Sequence, residues 1–144
     1  MKRLSLFIVN YSLFIVLLSG CGGNVAVSGK ITFSDDNTPL TIGMVFFESD
    51  TFQSRGILDS EGRYQLGSLK LTDGLPPGHY RVYINGAVAD DPHRPPGGAP
   101  PLPLLETKYE SGASSGLTAD VDSSKRKFDF SVNRNLKTAQ QLKK

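Results

Sequence analysis

The sequence Gln53–Leu66, QSRGILDSEGRYQL, predicts two short β-strands joined by a tight turn. Asp59 can accept hydrogen bonds from the turn backbone, and Gly62 can adopt a positive φ because it has no Cβ atom. From Tyr64 onward, apolar residues alternate with polar ones, as they do along a half-buried strand. Calcium binding by Asp59 and Glu61 is the alternative, but calcium needs six or more oxygen ligands and this turn has four residues. The stretch therefore favours a hairpin.

Similar runs with a two-residue period recur from Val25 to Val132. Met44-Val45-Phe46-Phe47 is apolar on both faces, which is typical of an interior strand. Tyr80 is expected to point to the core. Helical signals are limited to a single turn around residues 106–109 and to the polar tail, for which a frayed end and a short helix both stay open. The pattern predicts an all-β chain, a single antiparallel seven-stranded β-sandwich with strands over about 25–33, 43–49, 53–58, 63–66, 79–85, 117–122 and 128–132.

A proline-rich loop interrupts this pattern at residues 86–105. Six of the nine prolines lie between Pro92 and Pro103. Because proline cannot donate a hydrogen bond to a strand ladder, we expect an exposed, partly extended loop there. Long loops of this kind either have a function or are disordered, so partner recognition and a simple spacer both stay open. The candidate partner contacts in and beside the loop are Tyr83, Asp90, Asp91, His93 and Arg94.

The N-terminal 20 residues have the pattern of a secretory signal peptide. Two cationic residues, Lys2 and Arg3, precede an apolar run that ends at Leu18. That run is shorter than the ~20 residues needed to cross a bilayer, which disfavours an uncleaved anchor. The run leads into Leu18-Ser19-Gly20-Cys21, a lipobox that ends at the only cysteine in the chain. We expect cleavage before Cys21 and attachment of diacylglycerol to its thiol.

This interpretation divides the chain into a signal peptide (1–20), a lipidated linker (21–24), a β-sandwich (25–132) and a polar tail (133–144). In bacterial lipoproteins, an aspartate directly after the lipidated cysteine is associated with retention in the inner membrane. Gly22 occupies that position here, so the expected location is the outer membrane. Loss of Lys2 and Arg3 would leave 14 cationic and 14 acidic side chains. A near-neutral chain does not support a nucleic-acid partner.

Few residues in the sequence suit catalysis or metal binding. The two histidines, His79 and His93, are far apart, so a zinc site would need carboxylates from distant parts of the chain. Asp90 and Asp91 beside His93 form the one polar cluster that could coordinate a ligand, but the flexible prolines around it leave it poorly preorganised. Cys21 is assigned to lipidation, and no Gly-x-Ser-x-Gly elbow is present. We therefore expect no enzyme activity, no metal and no cofactor. The basic run 125–127 is interpreted as a solvated hairpin tip, with contact to a surface anion as the alternative.

The order of several short motifs resembles the carboxypeptidase regulatory-like domain, a transthyretin-like domain found in many small bacterial lipoproteins. The resemblance covers about residues 25–132. It is based on Val27-Ser28-Gly29-Lys30-Ile31, the turn at Pro39, Asp59-Ser60-Glu61-Gly62-Arg63-Tyr64-Gln65-Leu66, Pro77-Gly78-His79-Tyr80-Arg81-Val82, Lys108-Tyr109 and Ser115-Gly116-Leu117-Thr118.

The resemblance implies a prealbumin-like sandwich without catalytic machinery, used as an accessory or adhesive module. The transthyretin-like hydroxyisourate hydrolase is the enzymatic relative to consider. That enzyme ends in Tyr-Arg-Gly-Ser, whereas this chain ends in Gln141-Leu142-Lys143-Lys144, which disfavours the hydrolase.

The sequence leaves two functions open. The first is a membrane-anchored envelope lipoprotein that binds a protein or glycan partner. The second is a purely structural, lipid-tethered spacer. An aromatic or apolar patch on one sheet face would favour the binding module, and a uniformly polar face would favour the spacer.

Overall fold

Two β-sheets pack face to face in the structure, a computed structural model that describes residues 23–67, 73–89 and 95–142. A 3₁₀ turn at Thr107–Glu110 and helix α1 at Leu136–Gln141 are the helical segments in these ranges. The predicted β-sandwich is confirmed, as is the single turn before β6. The strands are β1 (Ser28–Phe33), β2 (Met44–Glu48), β3 (Gln53–Ile57), β4 (Arg63–Gln65), β5 (Gly78–Asn85), β6 (Leu117–Val121) and β7 (Phe130–Val132).

One sheet has the strand order β4-β1-β7 and the other has the order β3-β2-β5-β6. Strand β2 is interior, as its two apolar faces predicted. Strands β1 and β7 pair in parallel, so the expectation of antiparallel pairing throughout is wrong for this pair. A short hairpin forces its two strands to be antiparallel, but most of the chain separates β1 from β7 and no turn constrains their direction.

The core lies between the inward faces of the two sheets. Phe47 of β2 is fully buried, and its ring lies 6.0–6.3 Å, centroid to centroid, from four other aromatic rings. Each such pair contributes about 0.5–1.5 kcal/mol beyond the area that it buries. Tyr80 belongs to the four-stranded sheet, Tyr64 and Phe130 belong to the three-stranded sheet, and Phe128 lies in the segment before β7. Phe47 therefore joins the two sheets.

The hairpin predicted from Asp59 and Gly62 is present, and it joins the two sheets. The Asp59 carboxylate accepts hydrogen bonds from the backbone N–H groups of Glu61 and Arg63, both at 2.8 Å, and Gly62 has a φ of 71°. The strand before the turn belongs to the four-stranded sheet and the strand after it to the three-stranded sheet. Backbone hydrogen bonds between Arg55 and Gly67 hold the two strands together farther from the turn. The hairpin thus closes one side of the sandwich.

Strand directions define two ends of the sandwich. The N-terminal end contains Val25 and the loops at 49–52 and 122–127, and the distal end contains the turns at 34–43 and 58–62. Val25, expected within the first strand, instead forms an isolated bridge with Leu75, their N–H groups each donating to the other's carbonyl.

The base of the proline-rich loop lies at the distal end and is paired. The Ala89 N–H donates to the Leu102 carbonyl, and the Leu104 N–H donates to the Ala87 carbonyl, both at 2.8 Å. The expected loop is therefore tied at its base, because the bonds use the nitrogens of non-proline residues. In the ranges that the structure describes, no helix has the length and apolar content to cross a membrane.

Candidate partner-binding surfaces

Tyr83 lies on the outer face of the four-stranded sheet, directly opposite Phe46 of the neighbouring strand. The two rings stack with centroids 4.9 Å apart and planes only 5° from parallel. Side chains opposite each other on one sheet face interact in this way because strand pairing brings their Cβ atoms close together. Both rings are half-buried, so the candidate partner contact Tyr83 is only partly exposed.

Polar groups surround this ring pair. The Tyr83 hydroxyl accepts a hydrogen bond from Nε2 of Gln53 at 2.8 Å. Burial raises the pKa of Tyr83, the negative charge of Glu48 adds to this rise, and the hydrogen bond from Gln53 opposes it. The hydroxyl therefore stays neutral near neutral pH and keeps a proton that it can donate.

A loop packs against one side of these rings. A Cβ atom at Gly112 would lie 3.4 Å from Cδ1 of Tyr83 and 3.2 Å from Cβ of Arg81. The loop before β6 thus forms a low wall beside the rings. We call this surface, formed by Phe46, Glu48, Gln53, Arg81 and Tyr83, the aromatic face.

The other predicted contacts fall outside the described residues. These are the loop residues Asp90, Asp91, His93 and Arg94, together with Cys21 and the lipobox residues Leu18, Ser19 and Gly20. Tyr83 is therefore the one predicted partner contact that the structure places.

His79 contacts a carboxylate on the protein surface. Its Nδ1 lies 2.6 Å from Oδ1 of Asp120. Both side chains are more than half exposed, and neither lines a described cavity. Residues 23–67, 73–89 and 95–142 contain no group of three or more histidine, cysteine or acidic side chains able to hold a metal ion. The pair is an exposed surface contact.

A second surface, not identified from the sequence, is a groove of about 580 Å³ along β1 and β4. Its lining includes three cations from separate parts of the chain, Lys30, Arg63 and Lys127, and the carboxylate of Asp59. At its edge is Ile57, whose side chain is 64% exposed. We call this surface the basic groove, formed by Ser28, Lys30, Ile57, Asp59, Arg63, Gln65 and Lys127.

The three cations differ in how far carboxylates neutralise them. Arg63 pairs with Glu61 beside the groove, and Lys127 Nζ lies 3.4 Å from the Asp129 carboxylate. Lys30 forms no ion pair with any residue that the structure describes. The one sequence signal for this surface was the basic run 125–127, interpreted in the alternative as an anion contact. No sequence signal indicated Lys30 and Arg63, because only the register between β1 and β4 brings these two residues together.

Comparisons with known proteins identify no family. No protein-family model matches the chain. No curated protein matches it either. One solved structure, the major pilin subunit of Bacillus cereus, is similar with a TM-score of 0.46 and 10% sequence identity. The similarity covers 78% of this chain and 30% of the pilin chain.

Proposed function

We propose that the chain is an exported lipoprotein, anchored through Cys21, whose β-sandwich is a non-enzymatic binding module for a partner in the cell envelope. The aromatic face is the observation that carries this proposal. A stacked pair of rings at the centre of an outward sheet face, beside a polar rim, is typical of a recognition surface. The pair also stabilises the sheet as a cross-strand contact, but an aromatic surface on an outward face favours the binding module over a spacer with a uniformly polar face.

The lipobox and the length of the tether support the anchored arrangement. Val25 is held to Leu75 by reciprocal backbone hydrogen bonds of 2.7 and 3.0 Å. Four residues of extended chain from Cys21 to Val25 span at most about 14 Å. A lipid on Cys21 would therefore hold the N-terminal end close to the membrane and leave the distal end, with the proline-rich loop, farther out.

The family and the location belong to the same proposal. The motif order supports membership in the carboxypeptidase regulatory-like lipoproteins, and Gly22 after the cysteine supports delivery to the outer membrane. Asp90, Asp91, His93 and Arg94, which lie outside the described residues, remain proposed partner contacts.

The first experiment compares the wild-type protein with Cys21→Ala by intact mass and membrane fractionation. We expect the wild-type protein to lose residues 1–20, gain the mass of the acyl groups and partition with membranes. The Cys21→Ala protein should remain unacylated. A soluble, unacylated wild-type protein would refute the anchor and leave a secreted binding module to consider.

The second experiment tests the aromatic face with the variant Phe46→Ala/Tyr83→Ala. We expect envelope material retained by the immobilised wild-type protein to be lost from this variant. Ser131→Ala, an exposed position on strand β7 of the other sheet, serves as the control and should retain it. Circular dichroism establishes that each variant is folded. Equal retention by all three proteins would favour the spacer.

A further inference from the structure

We infer that the basic groove is a separate binding site for an anionic glycan, a polysaccharide that bears carboxylate or phosphate groups. The inference goes beyond the aromatic face, which lies on the other sheet. The choice of an envelope glycan depends on the proposed export of the chain, whereas the groove's affinity for an anion does not.

Charge is the first argument. Lys30, Arg63 and Lys127 line one groove, and Lys30 has no carboxylate partner among the described residues. The lining carboxylate, Asp59, is engaged because its Oδ1 accepts two backbone hydrogen bonds that hold the turn. Arg63 and Lys127 form ion pairs with Glu61 and Asp129 that are exposed to solvent. Such pairs are weak, so a ligand anion can replace the carboxylate in each. A ligand with regularly spaced negative charges would complement this arrangement.

Backbone pairing argues against a peptide ligand. Strand β4 pairs with β1 along one side. On its other side, hydrogen bonds link Asp59 with Arg63 and Arg55 with Gly67. A peptide therefore finds no free strand edge in the groove to extend the sheet, which is the common way for an extended peptide to bind a sheet.

The uncharged lining suits a sugar. Ser28 has a hydroxyl and Gln65 an amide, and both are exposed on the sheet face, where they can exchange hydrogen bonds with sugar hydroxyls. Ile57 offers an apolar contact for the C–H groups of a sugar ring. The groove volume of about 580 Å³ lies within the range of roughly 300–1,000 Å³ that is usual for ligand sites.

Affinity electrophoresis tests the inference, with native gels containing polygalacturonate, dextran or polyglutamate. We expect polygalacturonate to retard the protein, with weaker retardation at higher salt, and dextran to have no effect. Lys30→Gln and Lys127→Gln should each weaken binding about threefold to fivefold. Lys137→Gln, on α1 and outside the groove, makes the same change in net charge and should bind like the wild-type protein.

Three outcomes would overturn the inference. They are the absence of retardation by polygalacturonate, equal loss of binding in Lys137→Gln, and equal or stronger retardation by polyglutamate, which would indicate an acidic peptide ligand. The gel can be run with acylated or with unacylated protein. The result can therefore be interpreted even if the protein is not lipid-anchored. Phe46→Ala/Tyr83→Ala should keep its glycan binding, which separates the groove from the partner bound by the aromatic face.

Discussion

Gly29 shows at the scale of one residue why the first strand needs a glycine at its second position. A Cβ atom there would lie 1.8 Å from the carbonyl oxygen of Phe128. The same oxygen accepts a 2.6 Å hydrogen bond from the hydroxyl of Tyr64, whose pKa is raised by burial. We expect Gly29→Ala to lower the free energy of unfolding by about 3 kcal/mol, because backbone must move to relieve the overlap. Urea unfolding measures the change.

Gly78→Ala is the matched control for this prediction. Gly78 also lies in a strand, and a Cβ atom there would meet its nearest neighbour at 3.6 Å, an ordinary contact. We expect little change in its unfolding free energy. Equal destabilisation by the two substitutions would mean that the overlap at Gly29 has no special cost.

At the scale of elements, Arg134 ties the turn after β1 to the segment after β7. Its guanidinium lies 3.6 Å from the centre of the Phe33 ring, and its nitrogens contact Asp35 at 2.9 Å and Asp36 at 2.8 Å. Hydrogen bonds from the Thr38 hydroxyl and N–H, followed by the contact with Arg134, lower the pKa of Asp36 from 3.8 to about 2. The fold therefore favours the charged form of this carboxyl.

Acid should remove the stabilisation that the charged Asp36 carboxylate gives to the fold, because protonation of Asp36 weakens its contacts with Thr38 and Arg134. The stabilisation is complete above the unfolded pKa near 4 and is lost as the pH falls through the folded pKa near 2. We expect Asp36→Asn to melt below the wild-type protein at about pH 6, and the difference to shrink between about pH 4 and pH 2. Thermal unfolding across this range measures the difference.

Asp50→Asn provides the comparison, since the Asp50 side chain is 95% exposed. The melting temperature of the Asp50→Asn variant should equal that of the wild-type protein at each pH. A gap between Asp36→Asn and the wild-type protein that persists undiminished at about pH 2 would contradict the role given to the charged carboxyl.

At the scale of the whole molecule, the proposed anchor makes a prediction about orientation. Strand β5 has eight residues, so the two ends of the sandwich are separated by about 26 Å. Ser123→Cys at the N-terminal end and Ser60→Cys at the distal end each add one thiol for a dye to the acylated protein. In vesicles with quencher-labelled headgroups, we expect stronger quenching at position 123. Equal quenching at both positions would exclude an end-on orientation.

The predictions from sequence were most accurate where the physical cause was local. The turn at Asp59 and Gly62, the burial of Tyr64 and Tyr80, and the interior position of β2 follow from side-chain alternation and turn chemistry. The predictions of where strands begin and end were less accurate. Val25 was expected within the first strand, but it forms an isolated bridge with Leu75, a residue outside the seven predicted strands.

By itself, the sequence determined that the chain forms a β-sandwich and which side chains face its core, because a two-residue period and turn residues act over a few positions. Tertiary structure alone decided the parallel pairing of β1 with β7, the stacking of Phe46 on Tyr83 and the gathering of Lys30, Arg63 and Lys127 in one groove. These features depend on which strands become neighbours and in which register, and such contacts join residues far apart in the chain.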